Sequence, residues 1–226
     1  MFFVSRFKAG GCWTSSLSIL LIFSFSFSYG QMRQVYLDNL DEDNHVEKIS
    51  FYTPNEGLVA FTKYIGYTID SGKTFTKKYI TINNVDYNGY LVNLTFGFGI
   101  KGVKAFNKDT VIVYGDYGFV PSILYSINGG NSFKLVYHAQ FSQLYSSITD
   151  MHFEPSNNTG YAIDADRILK TINRGISWTV IRVDPESKFE FIEAINATNL
   201  VVFSENKVLK TSNAGVSWQP LPIPSS

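Results

Sequence analysis

The chain has 226 residues, of which 45% are hydrophobic, 16% aromatic and 17% charged. That length holds one or two ordinary domains with a sizeable core, and the aromatic content excludes a disordered chain. The 19 Lys and Arg balance the 19 Asp and Glu, so no basic surplus is present to neutralise a run of phosphates, which argues against a nucleic-acid partner. A single cysteine, Cys12, excludes disulfide frameworks and cysteine-rich zinc sites.

Residues 1–30 read as a secretory signal peptide. Arg6 and Lys8 make a positive start, Ser16 to Phe27 (SLSILLIFSFSF) form a short apolar core, and Ser28-Tyr29-Gly30 places small residues at −3 and −1 of a cleavage site. The apolar run is too short for a comfortable membrane span, and no later run reaches 18 residues. Cys12 precedes the apolar core, so a lipoprotein anchor is not indicated. The expected mature chain carries 17 basic and 19 acidic residues and no cysteine. An exported chain without disulfides suggests a bacterial product, secreted or held in the periplasm or at the cell surface. Residues 31–46 then form a linker or an extra strand.

From residue 47 the chain is organised by a repeat. Four segments align without gaps: TIDSGKTF from Thr68 to Phe75, SINGGNSF from Ser126 to Phe133, TINRGISW from Thr171 to Trp178, and TSNAGVSW from Thr211 to Trp218. The shared pattern is [ST]-x-[DN]-x-G-x-[ST]-[FW]. Asp70, Asn128, Asn173 and Asn213 can accept from backbone N–H groups two residues on, closing an Asx-turn. Gly72, Gly130, Gly175 and Gly215 supply a positive φ that a Cβ would penalise. The closing aromatic starts the next strand with its ring buried. Each segment is therefore predicted to be a structural hairpin tip.

Two short β-rich runs precede each tip, a third leads into it and a fourth follows. In the third unit these are Asp150–Phe153, Gly160–Ile163, Arg167–Lys170 and Thr179–Arg182. Units at about 47–80, 98–138, 148–183 and 188–222 each hold four strands of four to six residues, and none carries a sustained helical period. Four strands in roughly 40–45 residues match a propeller blade. The reading is all-β: a β-propeller of four-stranded antiparallel blades over 47–226, with almost no helix.

On these segments the chain resembles the Asp-box, or bacterial neuraminidase repeat, β-propellers. The stretch GYAID…RILKTINRGISW around the third tip is most similar to exported propellers of the photosystem II stability and assembly factor-like and sortilin-like groups. The resemblance implies that the tips lie at the blade periphery, away from the axis. Such families commonly use six or more blades, so four units predict an incomplete array that self-association or a partner completes, since apolar faces would stay exposed on the first and last blades.

No residue is marked for catalysis, for a cofactor or for a metal. A sialidase-like site would need three clustered arginines, but Arg33, Arg167, Arg174 and Arg182 are scattered and Arg174 lies within a tip. A xyloglucanase-like site would need two carboxylates facing each other, about 6.5–9.5 Å apart if inverting. Asp86, Asp109, Asp116, Asp164 and Asp166 are the loop candidates, and no local pattern singles one out. His45, His138 and His152 are isolated, and the acidic run from Asp38 to Asn44 lacks the order of a calcium loop. Asn93, Asn157 and Asn196 head glycosylation sequons. Two insertions, Asp86–Gly99 and Gln140–Ser147, offer aromatic contact loops with Tyr87, Tyr90, Phe96, Phe98, Phe141 and Tyr145. The function expected is an exported, non-catalytic binding or scaffold module for a protein or polysaccharide of the cell envelope. The alternative is a secreted glycoside hydrolase of the same fold. Mass spectrometry of the exported protein should find a chain that begins at Gln31, cyclised or not; one beginning at Met1 would overturn the signal peptide.

Overall fold

The structure is a computed structural model that describes residues 45–80, 99–139, 146–156 and 158–222, together with the backbone of 18–21, 33–36, 82–87 and 90–94. The cleavage site at Gly30, Cys12, Asn157, Phe96, Phe98, Phe141 and Tyr145 lie outside the described residues, and Tyr87 and Tyr90 are described in backbone only. Strand β1 (Ser18–Leu21) pairs antiparallel with β2 (Arg33–Tyr36).

Four sheets follow, each a four-stranded antiparallel meander in chain order. Blade 1 holds β3 (Val46–Phe51), β4 (Gly57–Phe61), β5 (Ile65–Thr68) and β6 (Thr76–Lys78). The insertion after it adds a hairpin, β7 (Ile82–Tyr87) with β8 (Tyr90–Leu94), where only a loop was expected. The β-favouring Ile82, Val85, Tyr87, Tyr90 and Val92 suit pairing here. Blade 2 holds β9 (Gly99–Ala105), β10 (Val111–Tyr117), β11 (Val120–Ser126) and β12 (Lys134–His138). Blade 3 holds β13 (Asp150–Phe153), β14 (Gly160–Ile163), β15 (Arg167–Thr171) and β16 (Thr179–Val183). Blade 4 holds β17 (Phe189–Ala194), β18 (Leu200–Ser204), β19 (Val208–Thr211) and β20 (Gln219–Leu221). No helix occurs among the described residues, so none is long and apolar enough to cross a membrane.

The second strand of blades 1 to 3 reads as a continuous apolar run because both its faces are covered. Alternate residues point to the preceding blade, on the proximal face, and to the following one, on the distal face. Leu58, Ala60 and Ile65 on the distal face of blade 1 meet Val103, Val113 and Leu124 on the proximal face of blade 2. Ile112, Tyr114 and Ile123 meet Met151, Ala162 and Leu169 in the same way, and Tyr161, Ile163 and Ile168 meet Ile192, Val202 and Leu209. Each interface takes in the aromatic that closes the later blade's tip: Phe133, Trp178 or Trp218. No core cluster joins blade 4 to blade 1 among the described residues.

The two ends of the array differ. On the proximal face of blade 1, Gly66 stands where Leu124, Leu169 and Leu209 stand in the later blades. Phe61 and Phe75 fold over the missing side chain, and a Cβ at Gly66 would lie 3.0 Å from Phe61. Tyr64 stacks on Phe61 at 4.6 Å and carries the Lys77 ammonium 4.8 Å from its ring centre. Val59, Phe61 and Tyr64 are consequently buried, against the expectation that both end faces stay open. The distal face of blade 4 does stay open: Phe191 is 62% exposed and Phe203 41%.

The four tips share one hydrogen-bond scheme. The hydroxyl of Thr68, Ser126, Thr171 or Thr211 accepts from the glycine N–H at 2.8–3.1 Å and donates to the Asp or Asn carbonyl-type oxygen at 2.8–3.0 Å. That oxygen takes the N–H of Thr74, Ser132, Ser177 or Ser217. The reach is four residues, where two were expected, because the hydroxyl already occupies the nearer donors. The glycines have φ between 71° and 89°, and the residue before each is also left-handed: Ser71, Gly129, Arg174 and Ala214.

Two substitutions test this turn. Gly175→Val should cost about 3 kcal/mol or more, from a strained φ and from a Cβ placed 2.3 Å from Ile112 of blade 2. Ala214→Gly should add roughly 0.5–1 kcal/mol by relieving a left-handed alanine. Thermal melts with no difference in sign between the two would refute the backbone account.

Candidate functional site

The inner strands β3, β9, β13 and β17 carry polar groups in otherwise apolar surroundings. Lys48 Nζ donates to Asp150 Oδ1 at 2.6 Å, reaching from blade 1 to blade 3. On blade 2 the buried Tyr114 hydroxyl lies over Gly102, where a Cβ would sit 2.2 Å from it. The other Asp150 oxygen accepts from the Ile192 N–H of blade 4 at 3.1 Å. Burial opposes the Lys48 ammonium, yet Tyr114 and Asp150 beside it hold its pKa above the ordinary value. Burial likewise raises Tyr114. His152 lies 3.1 Å from Glu193, and burial keeps it below its ordinary value although Glu193 pulls the other way. Lys48 with Asp150 and His152 with Glu193 are consumed in pairs that tie blades together, while the buried Tyr114 hydroxyl has no hydrogen-bond partner.

A second cluster lies between the outer strands of blades 2 and 3. A groove of about 350 Å³ is lined by Tyr137, His138 and Ala139 from the end of β12, by Arg167 at the start of β15, and by Val180 and Val183 from β16. Asp164 sits next to the groove's Arg167 in the turn between β14 and β15, where its Oδ1 accepts the N–H groups of Asp166 at 3.1 Å and Arg167 at 2.8 Å. The residue is 1% exposed and its Oδ2 has no hydrogen-bond partner. Burial, with the Asp166 carboxyl close by, pushes Asp164 up to about 7 against the pull of Arg167. Arg167 Nη1 donates to the Tyr137 hydroxyl at 3.4 Å. His138 shares a 2.8 Å hydrogen bond with buried Ser122, and burial lowers its pKa. A guanidinium, a phenol, a neutral imidazole and two exposed valines make a surface that can hold a ligand with an acceptor group beside an apolar one.

The residues singled out in the sequence fall in different places. The sixteen tip residues lie between the third and fourth strands of the blades, and none of them lines the groove. Asp109 is exposed and pairs with Lys108 at 3.0 Å, while Asp116 closes β10 and burial raises it. Asp164 and Asp166 share one turn. Arg174 places its guanidinium 5.6 Å from the Phe106 ring centre, and Arg182 pairs with Asp184 at 2.9 Å. No group of three His, Cys, Asp or Glu able to hold a metal ion occurs among the described residues. The sequence does not mark Lys48, Tyr114, Asp150 or Tyr137. The one available signal was a charged residue at the start of an apolar strand.

Meandering four-stranded sheets that pack face to face in succession make this chain a β-propeller. Solved structures agree on the fold. YCF48 from Cyanidioschyzon merolae superposes with a TM-score of 0.56 at 16% identity, over 83% of this chain and 59% of that one. The extracellular domain of the hybrid two-component system BT4673 from B. thetaiotaomicron gives 0.60 at 10% identity, over 85% and 24%. An ancestral GH74 enzyme gives 0.57 at 18% identity, over 80% and 24%. The chain thus spans less than two thirds of these structures' lengths. No family model matches the chain, and no curated protein does.

Asp164 should make stability depend on pH. Its folded pKa is raised, so its contribution is full below the ordinary carboxylate value and is lost as pH rises through about 7. Asp184, held well below the ordinary range chiefly by Lys207 and then by Arg182, titrates outside that window. Melting temperatures taken from about pH 4 to about pH 8 should fall for the wild type relative to Asp164→Asn. Parallel curves would show that Asp164 is charged throughout.

Proposed function

We propose that the chain is an exported Asp-box β-propeller, nearest to the photosystem II assembly factor-like and sortilin-like groups, that binds a protein or polysaccharide of the cell envelope without transforming it. The tip residues from Thr68 to Trp218 are then structural. The groove between blades 2 and 3 is the observation that carries this reading. Its polar groups are already held in place by hydrogen bonds within the fold, which is how a rigid recognition surface is built. Asp164 and Asp166 sit side by side in one turn, an arrangement that suits holding Arg167 better than flanking a glycosidic bond.

Asp164 also favours a second reading, a glycoside hydrolase, because a carboxylic acid that keeps its proton near neutrality can serve as a general acid. One experiment separates the two. Purified protein is incubated with xyloglucan, sialylated glycans and envelope polysaccharides and proteins of its source, and both retention and sugar release are measured. Retention without release, reduced at least tenfold by Arg167→Ala or Val183→Glu, supports binding. Release that disappears in Asp164→Asn supports hydrolysis and overturns the first reading. Retention indifferent to every groove substitution removes the groove from both.

A further inference from the structure

The open face of blade 4 is not an ordinary surface. By strand register, Val201, Phe203 and Val208 occupy the positions of Leu58, Ala60 and Ile65 in blade 1, of Ile112, Tyr114 and Ile123 in blade 2, and of Tyr161, Ile163 and Ile168 in blade 3. All nine of those residues are at most 1% exposed. The same side chains stay apolar in blade 4, where Phe203 is 41% exposed. Phe191 pairs with Phe203 and stands where the other blades have Lys48 and Asp150, the ion pair of the inner strands, and Gly102. At 62% exposure, it extends the apolar row across the inner strand, and Leu221, 38% exposed, continues it past Val208. A contiguous row of this kind marks a contact surface.

We propose that this face is the interface of a two-fold dimer, with a second copy of the chain as its occupant. Head-to-tail growth has no receiving surface, because the proximal face of blade 1 is closed by its own Phe61, Tyr64 and Phe75. The blade 4 face, in contrast, complements itself. A two-fold axis running along β18, midway between two sheets about 10 Å apart, sets Phe203 against Phe203 of the second copy. It sets Phe191 against Val208 at the same level. One row further along, Glu193 and Lys210 flank Val201, and the same axis places each opposite its counterpart of opposite charge. Glu193 has its side chain 64% exposed while pairing with His152, so it can accept a lysine as well. Four strands of about five residues make a small interface, so assembly is set by concentration.

The dimer does not rest on the groove: a dimer with an inert groove, or a monomer that binds, tells the two readings apart. Light scattering behind size exclusion, with purified protein from about 1 to about 100 µM, covers the range in which a small interface assembles. The mass should double across the series. Phe203→Glu should hold it at the monomer value, with an unchanged melting temperature showing that the blade still folds. Lys210→Glu should raise the midpoint at least tenfold, and adding Glu193→Lys should restore it, because the charges exchange across the axis. A monomer at every concentration, or a dimer indifferent to Phe203→Glu, overturns the proposal. Failure of the double exchange to restore assembly overturns the two-fold register.

Discussion

A sheet with apolar residues on both faces cannot stand alone in water, because each uncovered face leaves side chains hydrated that burial would stabilise. The packing of each distal face on the next proximal face is therefore the constraint on which the other features depend. It shapes even the turns. The tip glycines lie against the preceding blade, Gly130 on Tyr67 and Ile65, Gly175 on Ile112 and Gly215 on Ile181. One residue type thus serves two needs, a left-handed backbone and a close approach between sheets. The hydroxyl and the Asp or Asn side chain of each tip satisfy N–H groups of its own turn, while two tip carbonyls take donors from the preceding blade: Gly129 O from the Tyr67 hydroxyl at 2.6 Å and Ala214 O from Lys170 Nζ at 3.3 Å.

The axis obeys a different logic. Lys48 and Asp150 are 102 residues apart in sequence, and Tyr114, whose hydroxyl lies over Gly102, sits beside their contact. A partly buried ion pair adds little stability over an apolar pair, but it is costly to leave half made. Its effect is to fix how blades 1 and 3 sit about blade 2, and the Asp150 bond to Ile192 extends that to blade 4. Phe191 ends the polar run. A residue of that size could not stand at Gly102, where the Tyr114 hydroxyl fills the space.

Local features were legible in the sequence and long-range ones were not. The tips could be read because a left-handed glycine and a hydroxyl within four residues have a fixed spacing whatever surrounds them. The strands could be read from their β-rich composition, and blade order followed from chain order. The second left-handed residue in each tip escaped notice because Ser71, Gly129, Arg174 and Ala214 share no chemistry, only a place. Asp164 was one of five loop carboxylates until burial distinguished it, and burial is decided by Arg167 and the sheet below. The hairpin β7–β8 reads as a loop in sequence because it lies outside the repeat and has no counterpart in the other units.

The contrast between the end blades follows from the same accounting of covered faces. An array of stacked units needs something at each end to replace the missing neighbour. At blade 1 the replacement is internal: glycine in place of leucine at position 66 opens room that Phe61 and Phe75 fill. Blade 4 takes the opposite course, keeping its buried-type row and adding Phe191 where its siblings carry polar residues or glycine. An array with both ends open could add copies head to tail without limit, because a heterologous contact that does not close propagates. Closing one end and leaving the other apolar removes that route. The placement of Glu193 and Lys210 on either side of β18 fits a covering of that face by its own kind.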